Sequence, residues 1–220
     1  MPQHQEPLEP WLEALLHTED RKFTDKQLKI IEAAVEVFSQ KGYAAASTSE
    51  IAQMAGVAEG TIFRHYKTKK DLLLSIVTPM MGKLLAPFIL NNFNDVLEKD
   101  YPTFEAFLRA VLINRLAFAR KHLKIIKILL QEIPFQPALK EQFIEHIGAK
   151  IFERFQKIVK HFQDKGELLE VPTLAAIRFA ISSAVGLFIF HLLLAPELPW
   201  DEEQEIEQTI QFILHGLASR

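Results

Sequence analysis

Three features of the 220-residue sequence predict an all-α fold. Apolar residues recur at the 3.6-residue spacing of amphipathic helices through most of the chain. The apolar–polar alternation of strands bounded by turn residues is missing. The 8 Gly and 11 Pro mostly punctuate long periodic segments. With 49% apolar and 24% charged residues, the composition is that of a globular protein and excludes a disordered or collagen-like one. The length suits one or two domains.

Residues 1–22 read as an N-terminal extension. Leu8, Trp11, Leu12, Leu15 and Leu16 would share one helical face, as a short helix packed on its own domain or as a docking segment. The first strong helix start is Thr24, with Gln27 three residues on completing a capping box and Phe23 and Leu28 at the hydrophobic-staple positions. Leu28, Ile31, Val35 and Phe38 form its apolar stripe, and Gly42 ends it in a left-handed conformation. Residues 47–50 form a second capping box opening a short helix to about Ala55, stopped by Gly56. A third helix runs from about Glu59 to Tyr66, and Thr68 to Asp71 cap a fourth that Pro79 and Pro87 should kink or interrupt.

The remaining segments are longer and more apolar. Pro102 suits the first turn of a helix to about His122, followed by helices at about 123–132, 137–165, 173–195 and 201–217. The segment 174–195 is the most membrane-like, but it carries Arg178, Ser182, Ser183 and His191. A bilayer span wants about 20 predominantly apolar residues, so the segment reads as a buried helix of a soluble protein, with a membrane anchor as the lesser alternative. The N-terminus has neither a basic region nor a long apolar run, so no secretory signal is expected and the predicted location is cytoplasmic.

Charge is unevenly distributed. The chain carries −3 overall, yet residues 1–20 hold five acids and no Lys or Arg, whereas residues 21–70 hold nine Lys or Arg and five acids. A basic block inside an acidic chain points to a local polyanion partner. Absence of Cys excludes disulfides, Cys-ligated metals and a Cys nucleophile. The eight His show no metal-binding spacing, and no phosphate loop, dinucleotide fingerprint or nucleophile elbow is present. No enzyme activity, cofactor or metal site is therefore expected.

Within the basic block, residues 48–66 have the layout of a helix-turn-helix reader, whose second helix enters the major groove of DNA. Thr61, Arg64 and His65 occupy turns that can face outward, and Lys67, Lys69 and Lys70 follow at once. Lysines beside a helix N-terminus combine charge with unpaired N–H groups and make a phosphate clamp. Taken singly, each lysine also reads as a solvated surface charge and Arg64 as an ordinary ion-pair partner.

The run Ile51-Ala52 to Ala55-Gly56-Val57, then Gly60-Thr61-Ile62-Phe63-Arg64-His65-Tyr66-Lys67-Thr68-Lys69-Lys70-Asp71-Leu72-Leu73, closely resembles the DNA-binding domain of the tetracycline-repressor (TetR) family of bacterial regulators. Ile31, Ala33, Ala34, Phe38 and Gly42-Tyr43 extend the resemblance, which covers about residues 24–74. It implies that Thr48 and Ser49 touch phosphate or base edges and that Thr61, Arg64 and His65 reach the DNA. It implies that Tyr66 packs inward and that Lys69 binds phosphate. Phe63 stands where the family usually has a Tyr whose hydroxyl meets phosphate, a bond phenylalanine cannot donate. Ala58 replaces the usual polar cap, a loss of about 1 kcal/mol.

The implied architecture is an N-terminal helix-turn-helix domain at 23–70 and a larger C-terminal ligand-binding and dimerisation domain at 71–220. Fourteen of the 17 Phe lie between Phe88 and Phe212. Core packing accounts for most of them, and the excess also suits an interior that encloses an apolar ligand. Candidate lining residues are Phe107, Val111, Phe118, Ile126, Leu130, Phe143, Ile147 and Phe179, with Asn114, Gln131, His146 and Ser183 as polar anchors. The helix from 173 and the stripe Ile206, Ile210, Ile213 and Leu217 are expected to pair with their copies in a homodimer. The expected function is a cytoplasmic repressor of transcription, released from a palindromic double-stranded DNA operator by a small apolar effector. The alternatives are an activator of the same fold, and a helical ligand-binding or interaction protein without inducible DNA binding.

Overall fold

The computed structural model describes residues 11–12, 23–79, 81, 99–145 and 149–217. Among these residues there are ten α-helices and no strand: α1 Asp25–Ala45, α2 Thr48–Ala55, α3 Glu59–His65, α4 Lys69–Pro79, α5 Phe104–Lys121, α6 Leu123–Glu132, α7 Pro137–Phe143, α8 Ala149–Asp164, α9 Thr173–Ile189 and α10 Glu202–Leu217. The all-α prediction holds. A π-helical turn, Phe190–Leu194, continues α9. The helix expected over 137–165 is described as α7 and α8, and Pro87, His146 and Ile147 lie outside the described residues. Of the N-terminal extension only Trp11 and Leu12 are described, and both are buried.

Local chemistry explains the helix starts. The Gln27 N–H donates to Thr24 Oγ1 at 3.3 Å and the Thr24 N–H to Gln27 Oε1 at 3.0 Å, the reciprocal capping box. Ser47 makes only half of one: its Oγ accepts from the Glu50 N–H at 3.1 Å, while the Glu50 carboxylate pairs with Lys41. Helix α5 is capped by Thr103, whose Oγ1 accepts from the Ala106 N–H at 3.2 Å, so Pro102 lies just before the cap and not in the first turn. Asp201 caps α10 through the Gln204 N–H at 3.0 Å.

Gly42 departs from its expected left-handed geometry. Its φ of 78° and ψ of 159° lie in a region open essentially to glycine alone. A Cβ there would also stand 3.3 Å from the side-chain oxygen of Gln131. Gly42→Ala is therefore expected to cost about 1–3 kcal/mol, read as a lower thermal midpoint; an unchanged midpoint would contradict the assignment.

The chain divides into two compact units, one within Met1–Phe88 and His122–Ile147, the other within Ile89–Lys121 and Gly148–Arg220. Thus α6 and α7, which the linear division counts with the C-terminal domain, pack with the first unit. Its core gathers Ile30, Ile31 and Phe38 of α1, Ile51 of α2, Ile62 of α3 and Leu72, Leu73 and Ile76 of α4, all fully buried. Helix α1 packs on α2, α4 and α6, and α4 on α7. Lys124 of α6 pairs with Glu36 of α1 at 2.8 Å.

The second unit has its own core. Phe104, Phe107, Leu108, Val111, Leu112 and Leu116 of α5 meet Val159 and Phe162 of α8, Ala176 and Ile177 of α9, and Ile206, Ile210 and Ile213 of α10. Arg109 of α5 bridges Glu105 on its own helix and Glu207 on α10. Hydrogen bonds to these two carboxylates raise the Arg109 pKa, and the bond from Arg109 lowers that of Glu207.

Two expectations for the last helices are overturned. The stripe Ile206, Ile210 and Ile213 is buried in this chain's own core, so it is not the face offered to a copy; the Leu217 side chain lies outside the described residues. Helix α9 is not a buried helix within the chain: only Ala176 and Ile177 are buried, while Leu174, Phe179, Ile181 and Val185 are exposed. Thr173–Leu194 is long and apolar enough to cross a bilayer.

Candidate nucleic-acid interface

The turn between α2 and α3 is set by Gly56, at φ 65° and ψ 33°, which closes α2 in the left-handed region. The Gly56 N–H donates to Gln53 O at 3.2 Å and the Val57 N–H to Ala52 O at 3.0 Å. Ile51 and Ala52 on α2 and Ile62 on α3 are buried, which fixes the outward faces of both helices. Ala58 makes no side-chain cap, as its sequence implies.

The outward face carries most of the residues expected there. Ser49, Phe63, Arg64, His65 and Lys67 are exposed, and Thr48, Thr61 and Lys69 are half-buried. Tyr66 is buried, with its ring 6.4 Å from that of His65. Arg64, Lys67 and Lys70 have no carboxylate within ion-pair distance among the described residues. Three unneutralised cations beside an exposed short helix form an electrostatic footprint for a polyanion.

Lys69 is held by contacts within the chain. Its ammonium donates to the carbonyl oxygens of Tyr43 at 2.7 Å, Ala46 at 2.7 Å and Ala44 at 3.3 Å. It also stands 4.4 Å from the centroid of the Tyr43 ring. These partners satisfy the C-terminal carbonyls of α1, so Lys69 ties α4 to α1 and is not extended toward a phosphate. Burial, and after it the negative charges of Glu132 and Asp71, raise the Tyr43 pKa.

Glu59 is missing from the set expected on sequence grounds. It opens α3, and its Oε1 accepts from the Thr48 hydroxyl at 2.5 Å, linking the first turns of α2 and α3. An acid in the first turn complements the helix dipole, which is a legible signal. The contact with Thr48 fixes that hydroxyl's proton and leaves its oxygen lone pairs as acceptors.

The ligand candidates fall in both units. Phe107, Val111 and Phe118 are buried on α5. Asn114 Oδ1 accepts from Arg115 Nε at 3.0 Å, and burial pushes the Arg115 pKa down to about 10. On α9, Phe179 is exposed and packs beside Gly216, and the Ser183 hydroxyl donates to Phe179 O at 3.0 Å. In the first unit, Ile126 and Phe143 are half-buried, while Leu130 and Gln131 are exposed on α6. The exposed side of α9 and α10 holds an open hollow of about 390 Å³, lined by Ser183, Leu187, Phe190, His191, Thr209 and Phe212 among others.

Residues 30–76 match the family model described as bacterial regulatory proteins, tetR family. The chain is 43% identical over 74 residues to the fatty acid metabolism regulator protein of Bacillus subtilis (strain 168), a match spanning 34% of this chain and 36% of that one. It is 28% identical over 198 residues to the uncharacterized HTH-type transcriptional regulator YvkB of the same organism, covering 87% of this chain and 96% of that one. Among solved structures, the fold is similar to that of the transcriptional regulator FadR from Bacillus subtilis in complex with stearoyl-CoA. That likeness has a TM-score of 0.62 at 22% identity and covers 86% of this chain and 98% of that one.

Proposed function

We propose that the chain is a member of the tetR family of bacterial regulatory proteins, whose model residues 30–76 match, and that it is a cytoplasmic, homodimeric repressor. Its α2–α3 head reads a palindromic duplex, and uptake of a small, largely apolar effector releases it. The observation that carries the reading is the basic surface around α3: Arg64 on its outward face, Lys67 in the turn after it and Lys70 at the start of α4 stand free of carboxylates among the described residues, while Ile62 and the C-cap Tyr66 anchor the helix beneath. Phosphate contacts position such a head and base contacts specify its site. Arg64 and Thr61 are assigned to base edges; Lys67, Lys70, Ser49 and His65 to the backbone; Phe63 to apolar contact. Arg64→Ala should then alter the ranking of operator variants by about 1–3 kcal/mol, read by fluorescence anisotropy. A uniform weakening across all variants would reassign Arg64 to phosphate.

Effector control is supported by the FadR structure solved with stearoyl-CoA, which favours an acyl-bearing molecule here. Phe107, Val111 and Phe118 of α5 are the proposed core of the response. The chain passes from α5 directly into α6, and α6 packs on α1 through Lys124 and Glu36. That covalent step is the proposed route by which the second unit biases the head, since a ligand shifts an equilibrium only by its differential affinity for the two states. A ligand at 100 times its dissociation constant should stabilise the fold by about 2.7 kcal/mol and must weaken operator binding in proportion. The test screens straight-chain acyl compounds by thermal shift and by operator anisotropy. Compounds that do both support the reading; stabilisation without release from the operator contradicts it.

A further inference from the structure

We propose that the second unit carries a surface site for the anionic head of an amphiphile, where residues 99–101 meet the C-terminal half of α8. The proposal rests on the effector reading and names the chemistry of one end of that ligand. A cleft of about 260 Å³ opens here, floored by Tyr101, Phe107 and Phe162 and rimmed by Lys99, Lys157 and His161. Among the described residues, Asp100 is the one acid lining it. Two floor residues are the outer layer of the core itself, Phe107 being 2% and Phe162 3% exposed. Their rings stand 6.4 Å apart, and Tyr101 meets Phe107 edge-on at 5.6 Å.

The rim side chains are weakly held. Lys99 has no carboxylate partner among the described residues and rests 6.0 Å from the Tyr101 ring centroid. His161 sits edge-on to Phe162 at 5.1 Å. Lys157 pairs at 2.9 Å with Glu153 one turn away, and both side chains are largely exposed. Such pairs contribute little in water. Just outside the lining, Lys165 holds its ammonium 5.4 Å from the Phe162 centroid. A carboxylate or phosphate gives Lys99 a charge-assisted bond stronger than its ring contact and competes with the exposed Glu153 for Lys157.

The combination selects the ligand class. A wholly apolar molecule would leave the rim unused, and a free inorganic anion would leave the aromatic floor unused. The cleft is also smaller than the roughly 300–1,000 Å³ of pockets that enclose a drug-sized ligand. It therefore takes a head and the start of a chain. Because Phe107 and Phe162 belong to the core shared by α5, α8, α9 and α10, a chain entering over them presses on the packing of the whole unit.

The experiment titrates the full-length protein and its Lys99→Gln/Lys157→Gln variant with octanoate, octyl phosphate, octanol and inorganic phosphate. Calorimetry reads binding and anisotropy reads operator release. Both lysines are exposed, so the variant is expected to fold. The anionic amphiphiles should bind the parent at least about tenfold more tightly than octanol or inorganic phosphate, and the variant should lose about tenfold for the anionic amphiphiles alone. A preference for octanoate or for octyl phosphate identifies the head. Equal binding of octanol, or unchanged affinity of the variant, overturns the proposal. Release of operator by octanoate equally from parent and variant leaves effector control standing and removes the cleft. Lysine-dependent binding without release keeps the cleft and removes effector control.

Discussion

Placing glutamates at Gly186 and Phe212 is expected to turn the protein into a monomer and to weaken operator binding by about 10²–10⁴-fold, the gain that linking two reading heads provides. The reason is the bare apolar face of α9 and its π turn. Phe179, Ile181, Val185, Phe190 and Leu194 are exposed, and Phe212 on α10 is 71% exposed. Large apolar side chains exposed together along one helix mark an interaction site, and a two-fold pairing covers the same face on both copies. A Cβ at Gly186 meets nothing within 4 Å in the single chain, so a side chain there does not disturb the core. Ile210 is fully buried, and Ile210→Glu should unfold the second unit instead of separating subunits. Sedimentation velocity at micromolar concentration reads the outcome. A dimeric double variant, or a monomeric parent, contradicts this face as the interface.

Lys69→Ala is expected to cost about 2–5 kcal/mol. It leaves the part-buried carbonyls of Tyr43 and Ala46 without their 2.7 Å donor, and each unsatisfied buried acceptor costs about 1–3 kcal/mol. A loss near 3 kcal/mol should lower the thermal midpoint by about 6–12 °C in a chain of this size. Below the melt, the salt dependence of operator binding should be nearly unchanged. An unchanged midpoint with a shallower salt dependence would return Lys69 to the phosphate role that family resemblance suggests.

What the sequence reveals and what it hides follow from distance along the chain. The Thr24 cap, the Ser47 cap and the Gly56 turn depend on residues three or four apart, and all are legible. The outward face of α3 is legible for the same reason, since burial of Ile62 within the seven-residue helix and of Tyr66 at its C-cap fixes which side faces out. The Lys69 contacts reach back 23 to 26 residues, and no periodicity encodes them. An apolar stripe shows that α6 buries a face but not that α1 covers it. Hydropathy marks α9 as a helix needing cover, without saying whether the cover is its own chain or a copy. The stripe of α10 is misread for that reason: Ile206, Ile210 and Ile213 are covered from within.

The most direct test is binding to a duplex enriched from a random pool, measured across a salt series for the parent and for a variant lacking Arg64, Lys67 and Lys70. The parent should enrich a palindrome with half-sites about 34–36 Å apart and bind it with steep salt dependence. The variant should lose both its preference and part of that dependence, about 0.9 in logarithmic slope for each phosphate contact removed. No palindrome enriched by the parent, or a variant that binds with the same affinity and slope, would contradict the assignment of α2 and α3 as a DNA-reading head.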